Sequence, residues 1–135
     1  VRAQLEAHDW PPNVHPTVLG FVQNMDEWMA AADCIVTKAG PGTIAEAATR
    51  GLPCLLSSHL PGQEYGNVKF VRDNGFGAFT KKPKRIAKTL TRWLSHAGER
   101  ESMQKEALRA ARPNATLDIA RDIGAILFEG KAPEP

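Results

Sequence analysis

Three short segments hold the residue types that could do chemistry. The first is Thr37-Lys38-Ala39-Gly40-Pro41-Gly42-Thr43-Ile44-Ala45-Glu46-Ala47. An apolar, strand-like run enters a glycine-rich turn, and the turn opens a helix. Gly40 and Gly42 lack a Cβ, so an anion can come close to the backbone there. The helix start offers free N–H groups and the positive end of its dipole. Gly40, Pro41, Gly42 and Thr43 therefore have the form of a diphosphate cradle. It would sit at the carboxyl end of a strand, where open α/β sheets bind ligands. A plain strand-to-helix connection uses similar residues, so the turn by itself leaves both readings open. It is neither a Walker A loop nor a G-x-G-x-x-G turn, because no Gly-Lys-Thr follows and the spacing differs.

Glu46 also has two readings. Thr43-x-x-Glu46 fits a capping box, with Glu46 returning to the Thr43 amide. Alternatively, a carboxylate one turn into such a helix can accept hydrogen bonds from a ribose diol beside the diphosphate. The second segment is Leu60-Pro61-Gly62-Gln63-Glu64-Tyr65-Gly66-Asn67. Gln63, Glu64 and Asn67 are bidentate polar groups at a helix start. They suit a pattern of sugar hydroxyls, and they also suit helix capping. The third is Leu19-Gly20-Phe21-Val22-Gln23-Asn24-Met25. Its backbone could read a base edge, with Phe21, Val22 and Met25 as apolar walls.

These segments need a scaffold, and the flanking pattern supplies one. Strands and helices alternate, which predicts an α/β fold with a parallel sheet and helices on both faces. Gln4 to His8 reads as a helix tail stopped before Pro11-Pro12, and Thr17 to Val22 as a short strand. Asn24 should cap a helix reaching Ala32, with Glu27 at its capping-box position. Cys34 to Thr37 reads as a buried strand. Thr43 should open a helix that Gly51 ends. Pro53 to Leu56 is the next strand, and the loop from His59 to Gly62 leads to a helix closed by Asn74-Gly75. Gly77 to Thr80 is the last strand. Beyond it the pattern is helical: Ile86, Leu90, Trp93 and Leu94 mark one apolar face, and Met103 and Ala107 another. A last helix, capped by Asn114 and running to Phe128, carries Ile119, Ile123 and Ile126. All three stripes read as core. Residues 1–128 form one domain in this reading, short of its first strands, and 129–135 a frayed tail.

Composition narrows the classes. The 135 residues are 42% hydrophobic and 24% charged, ordinary for one globular domain. A net charge of +2 is too weak and dispersed for a nucleic-acid binder. No run approaches the ~20 apolar residues of a membrane span. Cys34 and Cys54 lie in apolar runs and read as reduced core thiols. His8, His15, His59 and His96 are scattered, and no cluster has metal-ligand spacing. The mechanism therefore needs no metal bound to protein, although Mg2+ could assist by neutralising a diphosphate. Lys81-Lys82-Pro83-Lys84-Arg85 places four positive charges at a helix start, against the dipole. It reads as a solvated loop or as a site of attraction to anionic lipid headgroups.

Gly20-Phe21-Val22, Met25, Lys38 to Ala47, Arg50-Gly-Leu-Pro53, Gly62-Gln-Glu64, Gly66-Asn-Val68 and Asn74-Gly75 occur in one order. From about Trp10 to Ile123 that order resembles the C-terminal domain of plant and algal monogalactosyldiacylglycerol synthases. The resemblance implies the C-terminal, Rossmann-like half of a GT-B glycosyltransferase, truncated at its N-terminus. It implies inverting transfer of galactose from UDP-galactose to diacylglycerol, by a peripheral protein of the plastid (chloroplast) envelope membrane. By matching position, Phe21 and Val22 would lie at the uracil with Met25 nearby. Gly40, Pro41, Gly42 and Thr43 would hold the diphosphate, and Glu46 the ribose. Gln63, Glu64 and Asn67 would face the galactose. The catalytic base and the diacylglycerol site are expected upstream of Val1, so no catalytic residue is assigned here, and the last helix would return to the N-terminal domain. The alternative is a non-catalytic UDP-sugar-binding subunit of a two-chain GT-B enzyme.

Overall fold

The computed structural model describes residues 1–129. Three strands, β1 (Ile35–Lys38), β2 (Cys54–Ser58) and β3 (Gly77–Phe79), form a parallel sheet in the order β1-β2-β3. Helix α1 (Arg2–Glu6) and helix α2 (Met25–Ala31) precede it. Helices α3 (Pro41–Thr49) and α4 (Tyr65–Asp73) connect the strands, and α5 (Pro83–Ser95), α6 (Ala97–Ala110) and α7 (Ala115–Gly124) follow. A π-helical turn, Ala125–Glu129, continues α7. Helices cover both faces of the sheet, as the alternating pattern predicts.

Side-chain alternation along β2 divides the core. Cys54 and Leu56 point into a cluster with Met29, Ile44, Ala47, Val68, Val71 and Phe76. Leu55, between them, points the other way, onto Trp93 and Met103. Period-two geometry requires this split. Trp93 and Phe76 are the largest fully buried side chains. Burying such a ring contributes roughly 1.5–3 kcal/mol. Helix α6 serves both clusters, with Ala107 in the first and Met103 in the second. It also passes the glycines that close α3 and α4. Gly51 (φ 65°) lies against Leu108, and Gly75 (φ 75°) faces Glu106. Helix α6 thus lies against the turns that lead into β2 and β3. At Gly77 the chains approach so closely that a Cβ would overlap the Cys54 carbonyl and the Val71 side chain.

Several expectations are corrected. Thr17 to Val22 forms no strand. A strand needs a ladder partner for its N–H and C=O groups, and the sheet's pairings involve only β1, β2 and β3. On α5, Ile86, Leu90 and Trp93 pack inward but Leu94 is 54% exposed. It lies at the margin of a stripe whose centre is Leu90 and Trp93. The third stripe is not core: Ile119, Ile123 and Ile126 are 58%, 51% and 50% exposed. Periodicity reports an amphipathic helix, and α7 has no buried residue of its own. The last helix also changes from α to π geometry at Ala125 rather than continuing unchanged to Phe128. Neither proposed capping box forms. Helix α3 begins at Pro41, not Thr43, with Gly40 as N-cap and no side-chain cap bond. Pro at the first helical position has its φ already set and lacks only an N–H that would have no partner. At α2, the Asn24 amide donates to the Glu27 carboxylate instead (2.7 Å), side chain to side chain. Cys54 is buried and free, its thiol pushed up to about 12 by desolvation and by the neighbouring Cys34. Cys34 is half-buried and also free, its thiol raised by burial and by Asp33. Of the expected tail, residues 130–135 lie outside the described residues.

Candidate functional site

The carboxyl ends of β1 and β2 are tied together before the loops leave them. The Ala39 amide donates to the Ser58 carbonyl (2.8 Å), and the Ser57 hydroxyl to the Thr37 carbonyl (3.1 Å). The register slips between Thr37 and Lys38, which pair with Leu56 and Ser58. Such irregularities re-aim side chains at sheet edges and next to functional sites.

From this edge the first loop turns into α3. The Ile44 amide makes the first helix bond, to the Gly40 carbonyl (3.1 Å). Pro41 has no N–H, so the Gly42 and Thr43 amides are the free donors of the opening turn. Nothing lies within 4 Å of where a Gly42 Cβ would be. The turn therefore presents free donors, a helix dipole and, at Gly42, unfilled space in front of them. Glu46 follows on the same helix, exposed, with no bond to the Thr43 amide among the described residues. It lines a cleft of about 310 Å³ with Asp26, Met29, Thr49, Arg50 and Arg112. The Asp26–Arg50 ion pair (3.3 Å) joins α2 to α3 beside it.

The second segment is joined to the first. Glu64 is only 7% exposed. Its Oε1 accepts from Lys38 Nζ (2.5 Å) and its Oε2 from the Leu60 amide (2.8 Å). The Lys38 bond, then the Leu60 bond, holds its carboxyl below the ordinary carboxylate value. Asn67 Nδ2 donates to the Ala39 carbonyl (2.8 Å), so α4 is fastened to the cradle loop. Gln63 is exposed at the start of α4. Next to it, His59 packs against the rings of Tyr65 and Phe79, at 5.7 and 5.5 Å.

The third segment is not brought to this edge. Phe21 is 98% exposed and Val22 half-buried on an irregular stretch. Met25 lines a separate cleft with Trp28, Met29, Ala32, Cys34, Ile35 and Leu52, around the amino end of β1. Lys38 is the member of the site to which the sequence reading gave no role. A lone lysine at the last position of a strand, directly before a glycine turn, was the available signal. Among the described residues no three His, Cys, Asp or Glu side chains converge as a metal site. No helix among them is long and apolar enough to cross a membrane.

Open α/β sheets bind ligands at the carboxyl ends of their strands, and sequence comparison gives this sheet a family. The chain belongs to the family described as the glycosyltransferase family 28 C-terminal domain, whose match covers residues 4–120. It is 48% identical over 124 residues to monogalactosyldiacylglycerol synthase 3, chloroplastic, of Arabidopsis thaliana, covering 91% of this chain and 26% of that protein. To monogalactosyldiacylglycerol synthase, chloroplastic, of Spinacia oleracea it is 47% identical over 128 residues, covering 94% of this chain and 24% of that protein. The chain thus spans about a quarter of the length of the curated relatives it matches. Among solved structures, a glycotransferase of kitacinnamycin superposes with a TM-score of 0.58 at 21% identity, over 87% of this chain and 32% of the other. That likeness agrees with the GT-B half-domain expected from the sequence.

Proposed function

We propose that the chain is the donor-binding half of an inverting galactosyltransferase. The complete enzyme would move galactose from UDP-galactose to 1,2-diacylglycerol, making monogalactosyldiacylglycerol at the plastid envelope. The observation that carries the donor reading is the open turn at Gly40 to Thr43. Two free amides and the α3 dipole converge there, and among the described residues nothing lies within 4 Å of where a Gly42 Cβ would be. A site of this kind stabilises charge on a diphosphate, both when the donor binds and when UDP departs as leaving group. The choice of galactose and diacylglycerol is supported by the identity to synthases so named.

In this reading the pieces divide the donor. Gly40, Pro41, Gly42 and Thr43 hold the diphosphate. Glu46 accepts from the ribose diol; its competing role, a bond back to the helix start, is not made in the fold. Gln63, Glu64 and Asn67 face the hexose, with Glu64 and Asn67 held by their bonds to Lys38, Leu60 and Ala39. Phe21, Val22 and Met25 receive the uracil. Since Phe21 stands exposed on an irregular stretch and Met25 lies at another cleft, that part of the site is assembled when the nucleotide binds. The acceptor, the catalytic base and the lipid surface belong to the rest of the enzyme.

Calorimetry with UDP, UDP-galactose and ATP tests the donor reading. UDP and UDP-galactose should bind and ATP should not. Binding of ATP with no response to UDP would remove the assignment. Galactose transfer to diacylglycerol vesicles by the complete enzyme tests the acceptor. Transfer to a soluble sugar acceptor but not to the lipid would replace diacylglycerol.

A further inference from the structure

The Lys38–Glu64 pair is built asymmetrically. The Glu64 side chain is 9% exposed and the Lys38 side chain 62% exposed. The carboxylate lies behind, fixed by the Leu60 amide (2.8 Å), and the ammonium lies in front. A Cβ on Gly40 would come within 3.1 Å of Lys38 Nζ, so the ammonium rests directly against the first residue of the cradle turn. A lysine head has three N–H donors. One is directed at Glu64 Oε1. The other two are free of that bond, on a side chain that is 62% exposed. The register slip at Lys38 sets this aim at the level of the backbone.

A surface ion pair would contribute little to stability, and it would not require a buried carboxylate. Removing a carboxylate from water is costly unless it is hydrogen-bonded on more than one side. Here both oxygens are bonded, and the result is a cation held at a fixed point with donors to spare. Next to free amides and a helix N-terminus, that point suits a phosphate oxygen.

We infer that Lys38 is a phosphate-contacting residue of the donor site and that Glu64 is its positioning residue. This rests on the donor reading above, and it adds a charged donor to a cradle otherwise made of backbone amides. Glu64 then contributes to donor binding through Lys38 in addition to any contact with the hexose.

The test is titration of the chain with UDP and, separately, with uridine, which lacks the phosphates. Thermal melts of each variant check the fold. Lys38→Met should weaken UDP by about tenfold or more, as for loss of a hydrogen bond to a charged group. Uridine should bind as before, and Lys38→Arg should regain most of the UDP affinity. Glu64→Gln should weaken UDP by less than Lys38→Met and add nothing further in the double variant. Unchanged UDP affinity in Lys38→Met overturns the inference while leaving the donor reading standing. Equal losses of UDP and uridine overturn it too, because they place Lys38 in the fold or at the base. A wild-type chain that binds no UDP overturns the donor reading, and the inference with it.

Discussion

Between Lys38 and Asn67, polar side chains from β1 and α4 reach across the loops and fasten one segment to the next. Lys38 holds Glu64, Glu64 holds the Leu60 amide, and Asn67 holds the Ala39 carbonyl. Along Thr17 to Asn24 and along α7 the apolar content is as high, yet Phe21, Leu117, Ile119 and Ile123 face solvent. The two kinds of region differ in what lies beside them. The first sits on a sheet with two neighbouring strands and two packed helices. The second carries an apolar pattern that no surface among the described residues buries. An apolar stripe is a statement about a partner, and the sequence does not say which partner.

The largest effect is expected inside the packed region. Gly77→Ala should cost at least about 3 kcal/mol, because its Cβ would overlap backbone rather than a movable side chain. Strand propensity alone predicts the opposite sign, since glycine weakens a strand. Circular dichroism melts decide between them, and a variant as stable as wild type would mean that β2 and β3 are not so close.

The carboxyl edge should respond differently. Gly42→Val puts a side chain into open space, so stability should change by less than about 1 kcal/mol. UDP affinity should fall by roughly 100-fold, since the cradle amides are hydrogen-bond donors to a charged group. Calorimetry beside a melt separates the two. Retained affinity with an intact fold would place the diphosphate elsewhere.

A smaller effect belongs to pH. The folded Glu64 carboxyl lies below its ordinary value of 4.5, owing first to Lys38 and then to the Leu60 amide. A depressed carboxylate stabilises the fold above its unfolded value, and that contribution disappears as pH falls through the folded one. The melting difference between wild type and Glu64→Gln should therefore be largest near neutrality and vanish in acid. A difference that grows below pH 4.5 would reverse the sign and remove the ion pair as its cause.

The smallest expected change is on α7. Ile123→Ser should alter stability by less than about 0.5 kcal/mol, as for an exposed site. A loss above ~2 kcal/mol in a urea melt would show that this face is buried in solution.

The glycine turn and the helix start after it were legible because their signal is local. A strand, two glycines, a proline and a helix start lie within a few residues, and backbone chemistry follows from that order. The alternation of apolar runs likewise located the three strands of the parallel sheet and the helices between them, but it also suggested a fourth strand at Thr17 to Val22 that finds no ladder partner. The similarity from about Trp10 to Ile123 to one enzyme family points to a nucleotide-sugar donor from the sequence alone. The role of Glu64 was not legible. Its partners, Lys38 and Leu60, are 26 and 4 residues away, and only the crossing of β1 beside the α4 loop brings the lysine to it. Glu46 and Thr43 failed to form a capping box because Pro41 starts the helix two residues earlier, a choice local spacing leaves open. Which apolar faces became core was decided by tertiary structure alone. Burial depends on having a second surface to meet, and periodicity specifies only the first.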